Sequence, residues 1–157
     1  MAASGEPIEI RPAIRAEVPA IVGLLADDPI GSGREQNSDP LPDAYFEAFD
    51  DIAVQPGNFV LVAEAGGAIL GCLQLTIIPG LSRGGMKRGQ IEGVRVASAW
   101  RGGGVGEALV RHAIELAKEA GCGMVQLTSD NSRVDARRFY ERLGFVASHV
   151  GMKLHID

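Results

Sequence analysis

VRVASAWRGGGVG, residues 94–106, is the stretch that decides the fold of this 157-residue chain. It begins as a β-rich run and ends in four glycines, at 102, 103, 104 and 106, directly before an amphipathic helix. Successive amides of a glycine-rich turn at a helix N-terminus can converge on one point, where the helix dipole also favours negative charge. The pattern therefore predicts a phosphate cradle. The alternative is a tight strand-to-helix turn, for which one or two glycines would suffice.

The elements around this stretch predict a crossover between parallel strands. IEGVRV, residues 91–96, reads as a strand, and the helix that follows has apolar residues spaced three and four apart up to Ala120, with a stop at Gly121. MVQLTS, residues 124–129, reads as the next strand. Two strands joined through a helix are expected to be parallel.

The other elements predict a mixed sheet with helices packed on it. FVLVAE and AILGCLQLTII form a hairpin across Ala65-Gly66-Gly67, so these two strands are antiparallel. The remaining expected elements are a strand at 8–13, helices at 16–27, 41–54 and 134–143, surface loops at 27–43 and 79–89, and a terminal strand or strand pair at 145–156. The chain contains no internal repeat or linker, so we expect a single α/β (α+β) domain over residues 1–157.

Composition excludes several classes of protein. The net charge of −5 argues against broad binding to nucleic acid or to anionic membranes. Two cysteines are too few for a disulfide framework or a zinc cluster, and the three histidines have no metal-ligand spacing, so no metal is expected. The N-terminus lacks the uninterrupted apolar run of a signal peptide, which makes a cytoplasmic protein the expectation.

Two common phosphate-binding motifs do not match the glycine-rich stretch. A Walker A loop needs Gly-Lys-Ser/Thr, whereas Gly106 is followed by Glu107 and Ala108. A dinucleotide fingerprint needs a third small residue where Leu109 stands, and it normally occurs early in a chain. A nucleotide-binding oxidoreductase is therefore disfavoured.

Two separate motifs carry a resemblance to a known family. Arg101-x-x-Gly104-x-Gly106 resembles the Arg/Gln-x-x-Gly-x-Gly/Ala motif of the GNAT superfamily of acyl-CoA N-acyltransferases, and ARRFYERLGF, residues 136–145, resembles its A-x-x-F/L-Y-x-x-x-G-F segment. The order of elements is similar to the family plan over nearly the whole chain. The resemblance implies a mostly antiparallel sheet with about four flanking helices, in which the parallel pair of strands splays apart to admit acetyl-CoA.

The resemblance also implies where the cosubstrate acetyl-CoA binds. The strand backbone would pair with the pantetheine arm, the glycine-rich turn would hold the pyrophosphate, and an arginine would add positive charge. The residues concerned are Val94, Arg95, Val96, Arg101, Gly102, Gly103, Gly104, Val105, Gly106 and Glu107. The family often has Asn seven residues before its tyrosine, but Arg133 stands there, with Asn131 two residues earlier, so either could contact the cofactor. For Arg101 the alternative is a solvated surface side chain.

Glu92 and Tyr140 are the candidate catalytic residues. An amine near pKa 10.4 must lose a proton before it attacks, and a departing thiolate needs one. With a period of two, Gln90, Glu92, Val94 and Val96 would share one strand face, and the resemblance places a base near Glu92. The alternatives are an ion pair of Glu92 with Arg95, Arg83 or Arg88, and Glu64 or water as the base. Tyr140 matches the family's acid, or else it is a packing residue.

The expected function is an acetyl-CoA-dependent N-acetyltransferase that moves the acetyl group to a primary amine in a ternary complex. A non-catalytic acyl-CoA-binding sensor or regulatory module is the alternative, although such a module would not require Glu92 and Tyr140. The acceptor could be a small molecule or a peptide. Gln74, Thr76, Gln126 and Thr128 either line the acceptor cleft or bond across the sheet. A homodimer through the terminal strands is expected from family habit alone.

Overall fold

A five-stranded mixed sheet forms the centre of the structure, a computed structural model that describes residues 5–157. The strands follow chain order across the sheet: β1 (Glu9–Pro12), β2 (Asn58–Ala65), β3 (Ala68–Ile78), β4 (Arg88–Val96) and β5 (Met124–Gln126). The first three pairings are antiparallel, and β4 pairs with β5 in parallel. The predicted fold class is therefore confirmed. Residues 1–4, where the stretch searched for a signal peptide begins, lie outside the described residues.

Helices cover both faces of the sheet. They are α1 (Val18–Ala26), α2 (Asp43–Val54), the single turn α3 (Ser82–Gly85), α4 (Val105–Glu119) and α5 (Val134–Arg142). Leu109 of α4 packs with Leu61 and Leu73 on one face, whereas Leu24 of α1 packs with Cys72 on the other. The adjacent residues Cys72 and Leu73 of β3 thus pack into two separate cores, because successive side chains of a strand point to opposite faces of the sheet. Among the described helices, none combines the length and apolar character needed to cross a membrane.

A bulge at Gly93 changes which residues of β4 face which core. Cys72 lies opposite Arg95 and Gln74 lies opposite Glu92, so one residue of β3 between these pairs faces two of β4. Gly93 takes a left-handed backbone with φ of 62°, which glycine adopts without steric cost. The expectation that Glu92, Val94 and Val96 share a face is therefore wrong, since the extra residue reverses the alternation.

After the bulge, Arg95 lies on the same side as Glu92, facing α1. Val94 and Val96 instead pack into the core beneath α4, next to Ile91. Before the bulge, the even-numbered residues of β4 face α1. After it, the odd-numbered residue Arg95 does, and the even-numbered residues face α4.

The pairing between β4 and β5 ends long before β4 itself ends. The last paired residues are Gln90 and Gln126, whereas β4 continues to Val96. The splayed arrangement that the family resemblance implied is therefore present. It also explains why β5 stops at Gln126 rather than at the expected Ser129, since beyond this point β4 has diverged too far to pair with it.

Three sequence-based boundaries differ from the structure. The expected loop 79–89 contains α3, and β4 already begins at Arg88 within it. The expected terminal strand or strand pair at 145–156 is not formed, because residues after α5 have no regular secondary structure. A strand needs a partner for its backbone groups, and within the described chain this segment has none.

The core under α4 generates a stability prediction. Leu109→Ala removes a side chain that is 0% exposed, so we expect the free energy of unfolding to fall by about 2–5 kcal/mol, as for other buried Leu→Ala changes. Leu81→Ala at a 97% exposed position is the matched control and should change it by less than about 0.5 kcal/mol. Urea denaturation followed by circular dichroism measures both. Equal effects of the two substitutions would contradict this assignment of the core.

Candidate active site

The turn before α4 has the backbone geometry of an anion cradle. Gly102 and Gly104 have φ of 79° and 87°, in the left-handed region. Gly104 is the N-cap of α4, the residue directly before its first helical residue. The first amides of a helix have no partner within that helix, so those of Val105, Gly106 and Glu107 can donate to a ligand. A Cβ on Gly106 would lie 3.4 Å from a methyl carbon of Val96, so glycine lets α4 start close to the end of β4.

Arg101 joins the turn to the segment after α1. Its Nε donates to the carbonyl oxygen of Val96 at 3.2 Å, and its Nη2 donates to the carbonyl oxygen of Asp27 at 2.9 Å. The side chain is about half exposed, so the guanidinium also reaches solvent beside the cradle. Arg101 is therefore held by the fold, unlike the purely solvated arginine considered as the alternative.

Asp28 is the centre of a charged cluster that the sequence analysis did not single out. One carboxylate oxygen lies 3.0 Å from Nε of Arg95, and the other accepts a hydrogen bond of 3.1 Å from Arg133. The second oxygen also accepts the amides of Ile30 at 2.9 Å and Gly31 at 2.8 Å. The cluster therefore links the loop after α1, the second half of β4 and the start of α5.

This cluster changes the interpretation of Arg133. In the sequence Arg133 was a candidate cofactor contact, but in the structure its side chain is directed to Asp28. Asn131, the other candidate, lies in an exposed turn before α5. The signal for Asp28 was present in the sequence, because an Asp followed by Pro and Gly favours a turn in which the side chain caps backbone amides.

The charge state of Asp28 follows from its surroundings. Burial by itself would raise the pKa of this carboxyl group, since it disfavours the charged form. The amides of Gly31 and Ile30 and the guanidinium groups of Arg95 and Arg133 outweigh that effect, and the pKa of Asp28 lies below its ordinary value. The cluster is therefore ionised at neutral pH.

Glu92 lies at the rim of a cavity between α1, α2 and the sheet. It is exposed and stands opposite Gln74 in the β3–β4 pairing. Arg95, the ion-pair partner considered for it, contacts Asp28 instead. Glu64, the second candidate base, lies on β2 opposite Glu9, with β3 between it and β4. Of the two carboxylates, the structure places only Glu92 beside the unpaired half of β4.

Tyr140 is half-buried in α5 and packs edge-to-face against two other rings. The ring centroids lie 5.0 Å from Phe139 and 5.7 Å from Phe145. Burial raises the pKa of the Tyr140 phenol, and the positive charges of Arg95 and Arg133 offset this only in part. The phenol therefore keeps its proton at neutral pH, as a general acid must.

The polar residues of β3 and β5 bond across the sheet. The amide nitrogen of Gln74 donates to Oδ1 of Asn58 at 3.0 Å, and the hydroxyl of Thr76 donates to the same oxygen at 3.2 Å. Gln126 donates to Oε1 of Gln90 at 2.8 Å. Gln74 also lines the cavity between α1, α2 and the sheet, so its bond across the sheet does not decide between the two alternatives from the sequence. Asn58 was missed because its role depends on the β2–β3 register.

The side chains that could hold a metal are scattered over the molecule. Within residues 5–157, no group of three or more His, Cys, Asp or Glu side chains is arranged to bind a metal ion. The two cysteines are free, with Cys72 buried and Cys122 half-buried. Burial raises the pKa of the Cys72 thiol to about 12, so this sulfur is neutral beside the cavity.

The fold and this site define an acyltransferase that takes its acyl group from a coenzyme A thioester. A parallel pair of strands splays next to a glycine-rich turn, with a carboxylate and a protonated phenol nearby. Residues 24–145 match the model of the acetyltransferase (GNAT) family. The chain belongs to that family, which confirms the resemblance inferred from the sequence.

Characterised relatives share this class. The chain is 39% identical over 97 residues to the glucosamine 6-phosphate N-acetyltransferase of Trypanosoma brucei brucei, an alignment that covers 62% of this chain and 64% of that protein. The chain thus spans less than two thirds of this relative's length. It is 32% identical to glucosamine 6-phosphate N-acetyltransferase 1 of Oryza sativa, over 96% of this chain and 88% of that protein.

Solved structures share the whole fold. A protein of Bacillus halodurans described as a transcriptional regulator superposes with a TM-score of 0.93 at 48% identity, covering 96% of this chain and all of that one. An aminoglycoside N-acetyltransferase solved in complex with coenzyme A superposes with a TM-score of 0.79 at 18% identity, covering 99% of each chain. The second likeness is one of fold.

The Asp28 cluster generates a pH-dependent prediction. Because the pKa of Asp28 is lowered from about 3.8 on folding, its charge stabilises the fold above that pH, and this stabilisation is lost as the pH falls through the lowered value. We therefore expect Asp28→Asn to lower the free energy of unfolding by about 2 kcal/mol at pH 7, with the gap closing below about pH 4.

The control for this prediction is Asp135→Asn, which changes a fully exposed carboxylate in α5. Urea titrations at pH 7, 5 and 3 measure the gap for both variants. A gap between wild type and Asp28→Asn that is the same at pH 3 as at pH 7 would show that the carboxylate charge does not contribute.

Proposed function

We propose that this protein transfers the acetyl group of acetyl-CoA to a primary amine by direct attack in a ternary complex. The observation that carries the proposal is the end of β4–β5 pairing at Gln90 beside the left-handed glycines of the α4 turn. The backbone of Val94, Arg95 and Val96 would pair with the pantetheine arm. The turn from Gly102 to Glu107 would bind the pyrophosphate, with Arg101 adding positive charge.

The nitrogen loses two protons in this reaction and the sulfur gains one. We assign the first loss to Glu92, which accepts a proton from the ammonium form of the acceptor, so that its nitrogen can form the new C–N bond. Tyr140 gives its proton to the sulfur as the C–S bond breaks, and the second proton from the nitrogen, lost after the C–N bond forms, restores the phenol through solvent. One ammonium and one thioester thus yield one amide, one thiol and one released proton.

Arg133 and Asn131 have different parts in this proposal. Arg133 positions α5, and with it Tyr140, through the ion pair with Asp28. Asn131, in the exposed turn, would be the residue of the two that reaches a phosphate of the cosubstrate.

A non-catalytic acyl-CoA-binding regulator is the second candidate function. The description of the Bacillus halodurans protein as a transcriptional regulator favours it, since that protein shares 48% identity with this chain. The presence of Glu92 beside the unpaired strand and of a protonated Tyr140 favours catalysis, because binding alone needs neither.

The setting of the reaction completes the proposal. We propose that residues 1–157 act as one domain in the cytoplasm, where both free cysteines would stay reduced. The acceptor is proposed to be a small-molecule amine, as the printed names of the relatives suggest, with peptide amines as the other class. We propose no nucleic-acid or membrane partner and no metal.

The proton assignments predict the effects of two conservative substitutions. Glu92→Gln and Tyr140→Phe should each lower kcat by about 100- to 10,000-fold, the usual contribution of a general base or acid. The dissociation constant of acetyl-CoA should change by less than about threefold, because neither group is placed on the pyrophosphate or pantetheine. Thiol release with an amine panel measures kcat, and calorimetry measures binding.

The control for these variants is Gly104→Glu, which puts a carboxylate in the cradle and should abolish coenzyme A binding. Unchanged kcat in Tyr140→Phe or Glu92→Gln would remove that residue from the mechanism. Coenzyme A binding by the wild type without thiol release on any amine would favour the regulator.

We also propose a homodimer formed through the C-terminal segment. Val150, Met152, Leu154 and Ile156 are 86%, 91%, 90% and 92% exposed, and they alternate with more polar residues. Such alternation gives a strand one apolar face, which is normally buried. A second copy of the chain can supply the partner strand that this segment lacks.

The dimer proposal predicts a specific loss of association. Light scattering should give the wild type twice the 16.5 kDa mass of the chain, and the double variant Met152→Lys/Leu154→Lys should be monomeric. His155→Lys, which adds a charge on the other face of the same segment, is the control and should stay dimeric. A monomeric wild type, or a dimeric double variant, would contradict the proposal.

A further inference from the structure

A cavity of about 160 Å³ lies between α1, α2 and the face of the sheet that carries Glu92. Its walls are apolar side chains from both helices and from β2 and β3, among them Ile21, Val22, Phe49 and Cys72. Val22 and Cys72 are buried and form its floor. The cavity opens to solvent at the exposed residues Ala48 and Glu92, and its volume is close to the roughly 150 Å³ that accommodates benzene in an enclosed apolar cavity.

Three side chains with polar ends, those of Tyr45, Gln74 and Glu92, line the cavity, and the Tyr45 hydroxyl is already bonded to Glu35 and to the Gln36 amide. Gln74 and Glu92 face each other across the β3–β4 pairing and both line the cavity. The amide nitrogen of Gln74 donates to Asn58, which leaves its carbonyl oxygen as an acceptor. A carbonyl oxygen beside a carboxylate suits a primary ammonium group, which brings three N–H donors and a positive charge.

The lining is unsuited to a phosphate group. Of the described residues around the cavity, none is Lys or Arg, and Glu92 would repel a second negative charge. Arg95, on the same face of β4, is already paired with Asp28. The site therefore differs in chemistry from one that would take glucosamine 6-phosphate, the compound in the printed names of the relatives.

We infer that the acceptor of this enzyme is a primary amine with a compact apolar body of about six to eight carbon atoms, not a sugar phosphate. The body occupies the cavity, and the amine lies between Gln74 and Glu92, next to the unpaired half of β4. This inference rests on the proposed function, because it uses Glu92 as the proton acceptor. It adds the side chains that select the acceptor.

Two measurements test the inference. The first compares three acceptors, and the second uses a variant with a larger side chain in the cavity. Thiol release from acetyl-CoA by the 157-residue chain is measured with 2-phenylethylamine, methylamine and glucosamine 6-phosphate. We expect kcat/KM for 2-phenylethylamine to exceed that for glucosamine 6-phosphate by more than about tenfold, equivalent to roughly 1.4 kcal/mol. A preference for glucosamine 6-phosphate would overturn the inference and leave the N-acetyltransferase proposal intact.

The cavity-filling variant is Ala48→Phe, since Ala48 of α2 lines the cavity. It should lower the ratio of kcat/KM for 2-phenylethylamine to that for methylamine by about tenfold. Ala20→Phe is the matched control, on an exposed face of α1 that does not line the cavity, and it should leave the ratio unchanged. An unchanged ratio in Ala48→Phe would overturn the inference.

If no amine is acetylated, measuring the binding of 2-phenylethylamine separates the acceptor assignment from the N-acetyltransferase proposal. Calorimetry with 2-phenylethylamine and the coenzyme A-saturated protein should then still show binding that is weakened by Ala48→Phe and not by Ala20→Phe. That outcome would contradict the catalytic proposal and keep the ligand assignment. No binding of 2-phenylethylamine to the wild type would overturn the assignment itself.

Discussion

The structure depends on the loss of one pairing: β4 parts from β5 after Gln90 and Gln126, although β4 continues to Val96. Six residues of β4 thereby lack a neighbour on that side, and backbone polar groups without partners are costly to leave unsatisfied. A ligand with its own amide groups can satisfy them as an added strand would. The glycine-rich turn that follows places helix amides at the end of the same gap. In the proposed complex, backbone groups would thus recognise the cosubstrate.

Ion pairs connect the elements on either side of the opening between β4 and β5. Asp28 joins the loop after α1 to Arg95 of β4 and to Arg133 at the start of α5. These are the elements that carry Glu92 and Tyr140, so the ion pairs fix the spacing of the two proposed catalytic groups. Two guanidinium groups share one carboxylate in this cluster. Replacing Asp28 would therefore leave the partly buried charges of Arg95 and Arg133 without their counter-charge.

The sequence predicted the sheet class, the parallel crossover and the cradle, because these follow from short-range signals: apolar periodicity and glycines before a helix. It also led to Glu92 and Tyr140 as the candidate catalytic residues, and the choice of Glu92 over Glu64 needed the strand order of the structure. It did not predict the bulge at Gly93, because one glycine in a strand does not reveal whether the register shifts. Asp28 was missed since its partners, Arg95 and Arg133, are distant in sequence. The terminal strand was overpredicted because alternation describes a strand's faces and does not supply its partner.

Gly93 makes the length of β4 as important as its composition. If Gly93 were paired as an ordinary strand residue, without the bulge, strict alternation by residue number would return and every side chain after it would turn to the opposite face of the sheet. Arg95 would then enter the apolar layer beneath α4, while Val94 and Val96 would emerge toward α1, and Asp28 would lose a counter-charge. The two halves of β4 therefore follow different side-chain patterns, and the bulge at Gly93 separates them. In the proposed complex, side chains before Gly93 would face the amine, and the backbone after it would face the coenzyme.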